Sequence, residues 1–406
     1  MSYSANTAES LSTATRASRR LSKRKKILIA VIVVSVFVAI ALMLVIVYAL
    51  GGFDRFIYNY NADTYSIKKI AKEDLSIHFM KLDNGANGDS IYIKAGDTDI
   101  LVDAGSKQTS AKSIGDSVDR YCKDGILEYV IVTHADKDHI SGFVGTEVAQ
   151  GIFDRYECQN IIQFARTDKN TQIYQKYCSK RDAEIAAGAN CYTALECYNN
   201  TNGAKREYEL ARGITLKILY QEYYEKSSAK ENNYSVCFMI TQEYVINGRT
   251  KQNNYLFTGD LEKSGEESLV NCNPDLPEVV LYKGAHHGSR TSTNEVLLEK
   301  VKPQIVCVSC VAGSIENTQT LPNTFPTQAF VNRIAPYTDA VYVTDVATVQ
   351  LNSSGTYENI NYSAMNGDIV FACTDGRISM YFSNNDTKLK DTTWFKENRT
   401  CPQAWL

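Results

Sequence analysis

Residues 131–142 read IVTHADKDHISG: an apolar run of β-formers ends at Thr133, and the six positions that follow hold His134, Asp136, Asp138 and His139. In extended chain alternate residues share a side, so His134, Asp136 and Asp138 converge, and His139 turns in as the loop curls into a helix. Two imidazoles and two carboxylates this close are unfavourable unless something positive lies between them, as it would in a dinuclear metal site. The alternative is an exposed loop whose aspartates cap the following helix.

Two further stretches bear on that choice. The chain has five histidines, and four of them form two clusters, this one and AHHGS at 285–289. Both follow apolar strands, as does FTGD, which ends at Asp260. Three strand ends offering ligand-type side chains point to metal, because α/β sheets place their sites in strand-end loops.

The surrounding pattern supports that class. Strands are expected at 76–82, 90–96, 99–105, 127–133, 214–220, 235–241, 254–260, 278–284, 304–310 and 340–345, where apolar or alternating runs are bounded by Gly, Asn and Asp. Helices are expected over 111–123, after Asp260, over 291–301 and over 326–334. Interleaved strands and helices give an α/β domain over 76–406. Residues 151–213, rich in Asn, Tyr and Cys, fit this rhythm poorly and read partly as an insertion. The stretch NGDIVFACTDGRISMYF at 366–382 reads as strands completing the sheet.

Ahead of this domain, residues 1–26 form a basic tail and residues 27–50 carry no charge. At about 1.5 Å per residue that run spans roughly 36 Å, enough for a hydrocarbon core of about 30 Å. It reads as a transmembrane helix rather than a cleaved signal peptide, whose apolar region would be shorter. Arg16, Arg19, Arg20, Lys23, Arg24, Lys25 and Lys26 precede it, so the positive-inside bias keeps the N-terminus cytoplasmic. The expectation is a single-pass protein of the cell membrane, with a linker at 51–75 and the domain extracytoplasmic. All eleven cysteines fall after residue 50, and Cys158, Cys178, Cys191 and Cys197 crowd one segment that disulfides could staple in an oxidising compartment.

Charge narrows the substrate. The tail carries seven basic residues and one acid, so of the chain's net −3 the part beyond residue 50 accounts for −9. That part is no general binder of nucleic-acid backbone, which depends on many Lys and Arg. A phosphate substrate would have to be held locally, by metal or by a few placed cations. Lys283 and Arg290 are candidates for meeting its charge, with solvated surface positions as the alternative. Cys307 and Cys310 are spaced Cys-x-x-Cys without a second pair, so core packing is expected there rather than a zinc site. His78 reads as a packed strand residue, and Asp103 as a brace behind the metal loop.

The stretches THADKDHISG, NYLFTGDLE and VVLYKGAHHGSRTSTNEVLLEKVKPQIVCVS, in that order behind NGDSIYIKAGDTDILVDAG, resemble the metallo-β-lactamase fold. More narrowly they resemble its ComEC-type branch, the hydrolase domain of the competence DNA-uptake channel and its stand-alone relatives. The likeness runs from about Ser76 to Asp345. It implies an αββα sandwich with two metals at one edge: His134 and Asp136 on one, Asp138 and His139 on the other, and Asp260 bridging. One of His286 and His287 would complete the second metal, with His287 favoured and His286 left to meet substrate. The second histidine of the wider superfamily's motif is Asp136 here, and no histidine remains for its third loop. Asn233 and Ser235, in ENNYSVC at 231–237, match that region and become candidates for supporting or substrate contacts, as does Ser289.

Three carboxylates and three imidazoles suit zinc or manganese. Two such ions would acidify a bridging water and bind the oxygens of the group under attack, with Asp136 or Asp138 orienting the hydroxide and His286 meeting substrate charge. The expectation is a membrane-anchored phosphodiesterase or nuclease. The alternatives are a hydrolase of another ester or amide, such as a cell-wall phosphorylcholine ester or a β-lactam, and a non-enzymatic surface protein. No protein partner can be read.

Overall fold

Apolar runs punctuated by Gly and Asn turns build two facing sheets with helices outside them. The computed structural model describes Leu28, residues 30–43 and residues 61–406. The chain divides into two compact units, Met1–Asn59 and Tyr60–Leu406. In the first, residues 30–43 are helical and exposed. Among the described residues no helix is long and apolar enough to cross a membrane. The rest of the crossing helix expected over 27–50, and the basic tail, lie outside the described residues.

In the second unit the strands follow as β1 (Asn61–Thr64), β2 (Leu75–Phe79), β3 (Ile91–Ala95), β4 (Thr98–Val102), β5 (Ile126–Val132), β6 (Glu157–Gln163), β7 (Asn190–Thr193), β8 (Glu207–Ala211) and β9 (Ile214–Leu219). They continue as β10 (Cys237–Ile246), β11 (Arg249–Phe257), β12 (Leu281–Lys283), β13 (Ile305–Ala312), β14 (Val341–Leu351), β15 (Tyr357–Ala364), β16 (Ile369–Thr374) and β17 (Arg377–Phe382). One sheet has the order β1-β17-β16-β2-β3-β4-β5-β6-β7, the other β15-β14-β13-β12-β11-β10-β9-β8. The described part of the expected linker thus holds β1, which pairs in parallel with β17, and a helical turn at Ile67–Ile70. Residues 151–213 hold β6 and β7, which extend the first sheet beside β5.

Parallel neighbours demand crossovers, and the crossovers are the helices. From β4 to β7 the strands run parallel, linked through helices that include Ser110–Val118, Lys137–Val144 and Gln172–Ala187. From β11 to β14 they again run parallel, linked through Lys263–Cys272, Glu295–Val301 and Gln328–Ile334. The second parallel core reads as near-continuous apolar runs because both of its faces are covered; every residue of β13 is buried. Leu269, Leu297, Leu298, Phe330 and Ile334 from the second set of helices share one cluster with Leu256, Val306, Val308 and Val343. Burying each such side chain contributes about 1.5–3 kcal/mol.

The sheets meet through aromatic pairs, Tyr255 with Phe371 at 5.1 Å between centroids and Tyr342 with Phe382 at 4.8 Å. Near the end of β5 they are joined by a backbone bond, Val236 N donating to Thr133 O at 2.9 Å. This architecture is a two-sheet sandwich flanked by helices, as the motifs imply. All eleven cysteines are described and unpaired, so the Asn/Tyr/Cys-rich segment is held by packing rather than by the staples its cysteine count suggests. Cys307 and Cys310 are buried strand residues, and so is His78, its Nε2 2.9 Å from Ser76 Oγ.

One close approach fixes the helix that follows the loop after β5. Gly142 N donates to Ala104 O at 2.7 Å and Ala104 N to His139 O at 2.8 Å; a Cβ on Gly142 would stand 2.2 Å from that carbonyl oxygen. In an exposed helix Gly→Ala would stabilise by up to about 1 kcal/mol. Here the overpacking dominates, and Gly142→Ala is expected to destabilise by about 1–3 kcal/mol, read as a lowered midpoint in urea unfolding.

Candidate metal centre

Four strand ends deliver the donors. β5 ends into Thr133 and the loop carrying His134 and Asp136, then the helix carrying Asp138 and His139. β11 leads through Gly259 to Asp260, β12 into the turn carrying His286 and His287, and β4 into Asp103. Asp136 occupies the N-cap position of the helix Lys137–Val144, yet its side chain makes no capping hydrogen bond. The capping alternative therefore does not account for it.

The imidazoles share one arrangement. His139 Nδ1 donates to Asp103 Oδ2 at 2.7 Å, and His287 Nδ1 donates to Ser309 O at 2.8 Å. Thr133 Oγ1 gives its own hydrogen to Asp103 Oδ2 at 2.7 Å, so toward His134 Nδ1, at 3.1 Å, it serves as acceptor. Each ring is thereby tied back through Nδ1 and turns Nε2 inward, the device by which outer partners orient metal-ligating histidines. His134 Nε2 and His139 Nε2 are buried without a hydrogen-bond partner. Donor atoms of Asp138, His139, Asp260 and His287 lie within 4.8 Å of one another, and His134 Nε2 is 3.7 Å from Asp136 Oδ2. Orphaned inward nitrogens among carboxylates are what a divalent cation of the zinc or manganese type would satisfy, so the residues fit the group the motifs imply.

Asp260 divides its oxygens. Oδ1 accepts from Lys283 Nζ at 2.9 Å and from His286 N at 3.1 Å. Oδ2 stands 3.2 Å from His139 Nε2 and 3.3 Å from His287 Nε2. Lys283 also donates to Gly259 O at 2.8 Å and is ion-paired with Asp89.

Burial and charge set the protonation. Burial, with His139 adding to it, lowers His134 to about 4 and keeps it a neutral donor. Burial also disfavours the cation of His287, but Asp260 and the bond to Asp138 outweigh it and push the ring up to about 9. His139 goes the same way, burial being overcome by Asp260 and Asp103. Burial opposes ionisation of Asp260 and Asp138, yet Lys283, His287 and His139 hold Asp260, and His287 and His139 hold Asp138, well below the usual carboxylate range.

The residues singled out from sequence separate into those inside this cluster and those beside it. His134, Asp136, Asp138, His139, Asp260 and His287 converge. His286 is half-buried next to them, its Nδ1 3.1 Å from Thr291 Oγ1. Ser235 is buried and its Oγ accepts from Asp260 N at 3.2 Å. Asn233 is also buried, receiving Glu262 N and donating to Ser228 and Ser264, a loop pin rather than a surface group. Ser289 is buried within the turn, its Oγ 3.1 Å from Thr291 Oγ1, and Arg290 is exposed. Lys283, read as a cation for substrate or solvent, is 1% exposed and lies against Asp260 instead, because a buried ammonium must give its protons to acceptors. Sequence reasoning missed Asp89, which is buried beside Lys283, and Lys169, whose Nζ is 2.5 Å from Asp136 Oδ1. The one signal for Asp89 is its place in the turn NGDS before an apolar strand.

No family model matches the chain. It is 26% identical over 191 residues to ComE operon protein 3 of Bacillus subtilis (strain 168), covering 45% of this chain and 20% of that protein. It is 24% identical over 268 residues to Recombination protein 2 of Haemophilus influenzae (strain ATCC 51907 / DSM 11121 / KW20 / Rd), covering 66% of this chain and 27% of that protein. The chain thus spans about a quarter of the length of these curated relatives or less. Among solved structures, a long form RNase Z from yeast aligns at 11% identity and a TM-score of 0.34, over 84% of this chain and 44% of that one, too slight a likeness to carry an argument. The two sequence relatives and the two-sheet sandwich agree with the motifs and support a metallo-β-lactamase-fold protein similar to the ComEC type.

Proposed function

We propose that this chain is a divalent-metal-dependent hydrolase that cleaves phosphodiesters, with nucleic acid the foremost substrate class, and that residues 27–50 anchor it in a membrane with the catalytic domain outside. The observation that carries the chemistry is the orientation of three imidazoles, each fastened at Nδ1 and turned through Nε2 toward Asp136, Asp138 and Asp260. His134, Asp136, Asp138, His139, Asp260 and His287 would hold two divalent ions, zinc or manganese. Such ions supply Lewis acidity toward a phosphoryl oxygen and lower the pKa of water. Asp103, through Thr133 and His139, keeps the donors aimed. Asp136 and Asp138, the least buried of the carboxylates, are positioned to orient the attacking water, and His286 beside them to exchange a proton with the leaving group. The anchor rests on the uncharged run at 27–50 and the seven basic residues before it. A second reading, hydrolysis of a small ester or amide, is favoured by the net −9 of the chain beyond residue 50, which does not suit a long polyanion.

Three outcomes are expected. The purified chain carries about two divalent ions by elemental analysis and cleaves bis-p-nitrophenyl phosphate and single-stranded DNA in preference to a phosphorylcholine ester or nitrocefin, and Asp260→Ala abolishes that cleavage. Undiminished cleavage by Asp260→Ala rejects the assigned chemistry. Asp103→Asn, which releases the back of His139, weakens metal affinity about 10–100-fold in a competition titration. Metal uptake displaces the proton that the carboxylates hold on His287 up to about 9. Affinity therefore rises with pH up to about 9, by about tenfold per pH unit for each proton released; a pH-independent affinity between 6 and 9 would show that these rings are not ligands.

A further inference from the structure

The cluster opens to solvent on one side only among the described donors. The side chains of Asp136 and Asp138 are 26% and 25% exposed, whereas those of His134, His139, Asp260 and His287 are at most 2% exposed. At that opening stands Lys169, 34% exposed, with Nζ 2.5 Å from Asp136 Oδ1. The opposite oxygen of the same carboxylate faces His134 Nε2 at 3.7 Å, so one aspartate links the ammonium to the donor cluster and sets its distance from it.

The loop bearing Lys169 is not a free arm. Thr167 Oγ1 donates to Glu231 Oε1 at 2.6 Å and accepts from Lys169 N at 3.0 Å. Tyr234 OH donates to Asp168 Oδ2 at 3.2 Å. Glu231 and Tyr234 belong to the short helical turn Glu231–Tyr234 that leads directly to Ser235, the acceptor of Asp260 N. The loop of Lys169 is thus tied to the segment whose Ser235 holds the backbone of Asp260.

Lys283 and Lys169 differ in what they have left to give. An ammonium carries three N–H donors. Lys283 donates to Gly259 and Asp260 and is ion-paired with Asp89, all of them buried. Lys169 is ion-paired with Asp136 and is 34% exposed.

We propose that Lys169 is the anion-receiving residue of this site, donating to a non-bridging phosphate oxygen of the substrate while Asp136 holds it at a fixed reach from the metal ligands. This rests on the reading of the site as one for phosphate esters. The rival role, neutralising Asp136 alone, differs in what the metal-loaded protein does with a free anion.

The test uses the full chain loaded with manganese, as wild type, Lys169→Ala and Lys169→Arg, with inorganic phosphate as probe in calorimetry and bound metal measured in each. Lys169→Ala is expected to keep its metal and to bind phosphate about 10–100-fold more weakly. Lys169→Arg should retain most of the affinity and the diester KM, while alanine raises KM more than it lowers kcat. Unchanged phosphate affinity in the alanine variant overturns the assignment, as does loss of metal from it or a wild type that binds no phosphate. If wild type binds phosphate through Lys169 yet cleaves no diester, the hydrolase reading fails and the anion site stands.

Discussion

The arrangement depends on how the Asp260 carboxylate is divided. A buried carboxylate between two imidazoles, with three more carboxylates nearby, is intolerable in a low-dielectric interior unless each charge is matched. Lys283 is the match: it reaches up from β12 with its ammonium on Asp260 Oδ1 and Asp89. One oxygen is thereby withdrawn into the protein's own ion pair, which leaves Oδ2 as the face presented to His139 and His287. The lysine thus leaves Oδ2 as the atom of Asp260 that a metal, as proposed, would use. Removing it would leave a buried carboxylate pair uncompensated, which is why its burial and that of Asp89 belong together.

A second constraint acts on the turn carrying His286 and His287. Both residues, and Gly288 after them, have positive φ, at 50°, 56° and 79°, and for residues with a Cβ that conformation costs roughly 1–2 kcal/mol each. Strain of that size persists where surrounding contacts over-determine it. Here a half-buried guanidinium and a buried carboxyl group hold the segment that follows. Arg333 donates to the carbonyls of Thr293 at 2.8 Å, Ser292 at 2.7 Å and Arg290 at 3.1 Å. Glu266 accepts the backbone N–H groups of Thr293 at 2.5 Å and Asn294 at 2.9 Å. The cation takes the carbonyls and the anion takes the amides, so the loop leaves the turn along one path and His287 Nε2 stays directed at Asp138 and Asp260.

Legibility in the sequence follows from how local each signal is. The donor residues stood out because each cluster occupies a few consecutive positions after an apolar strand, a pattern visible without knowing which strands are neighbours. The second parallel core was legible for the same reason: β13 is a near-continuous apolar run, buried throughout. Asp89, Lys169 and the carbonyl of Ser309 carry no such signature, since what makes them matter is the tertiary approach of loops far apart in the chain. Residues 151–213 resisted reading because the helix Gln172–Ala187 buries only Tyr177 fully, which leaves almost no apolar stripe to give a period of 3.6. Lys283 was misplaced because a cation at a strand end reads as a surface group until its two acidic partners are known.

The charge balance of the site resolves an apparent contradiction between an acidic chain and an anionic substrate. Asp89, Asp103, Asp136, Asp138 and Asp260 carry five negative charges against the two ammoniums of Lys169 and Lys283. The imidazoliums of His139 and His287 bring the positive charges to four, so the cluster alone offers no surplus of positive charge to a phosphate, nor does the net acidity around it. Two divalent ions would reverse that sign within a few ångströms and leave the wider surface negative, a field that falls off over about 8–10 Å at ordinary salt. Attraction of that kind acts at short range and on a small group, not along a strand. If the site takes phosphate esters, as proposed, metal occupancy rather than surface charge would decide whether an anion approaches the opening at Asp136 and Asp138.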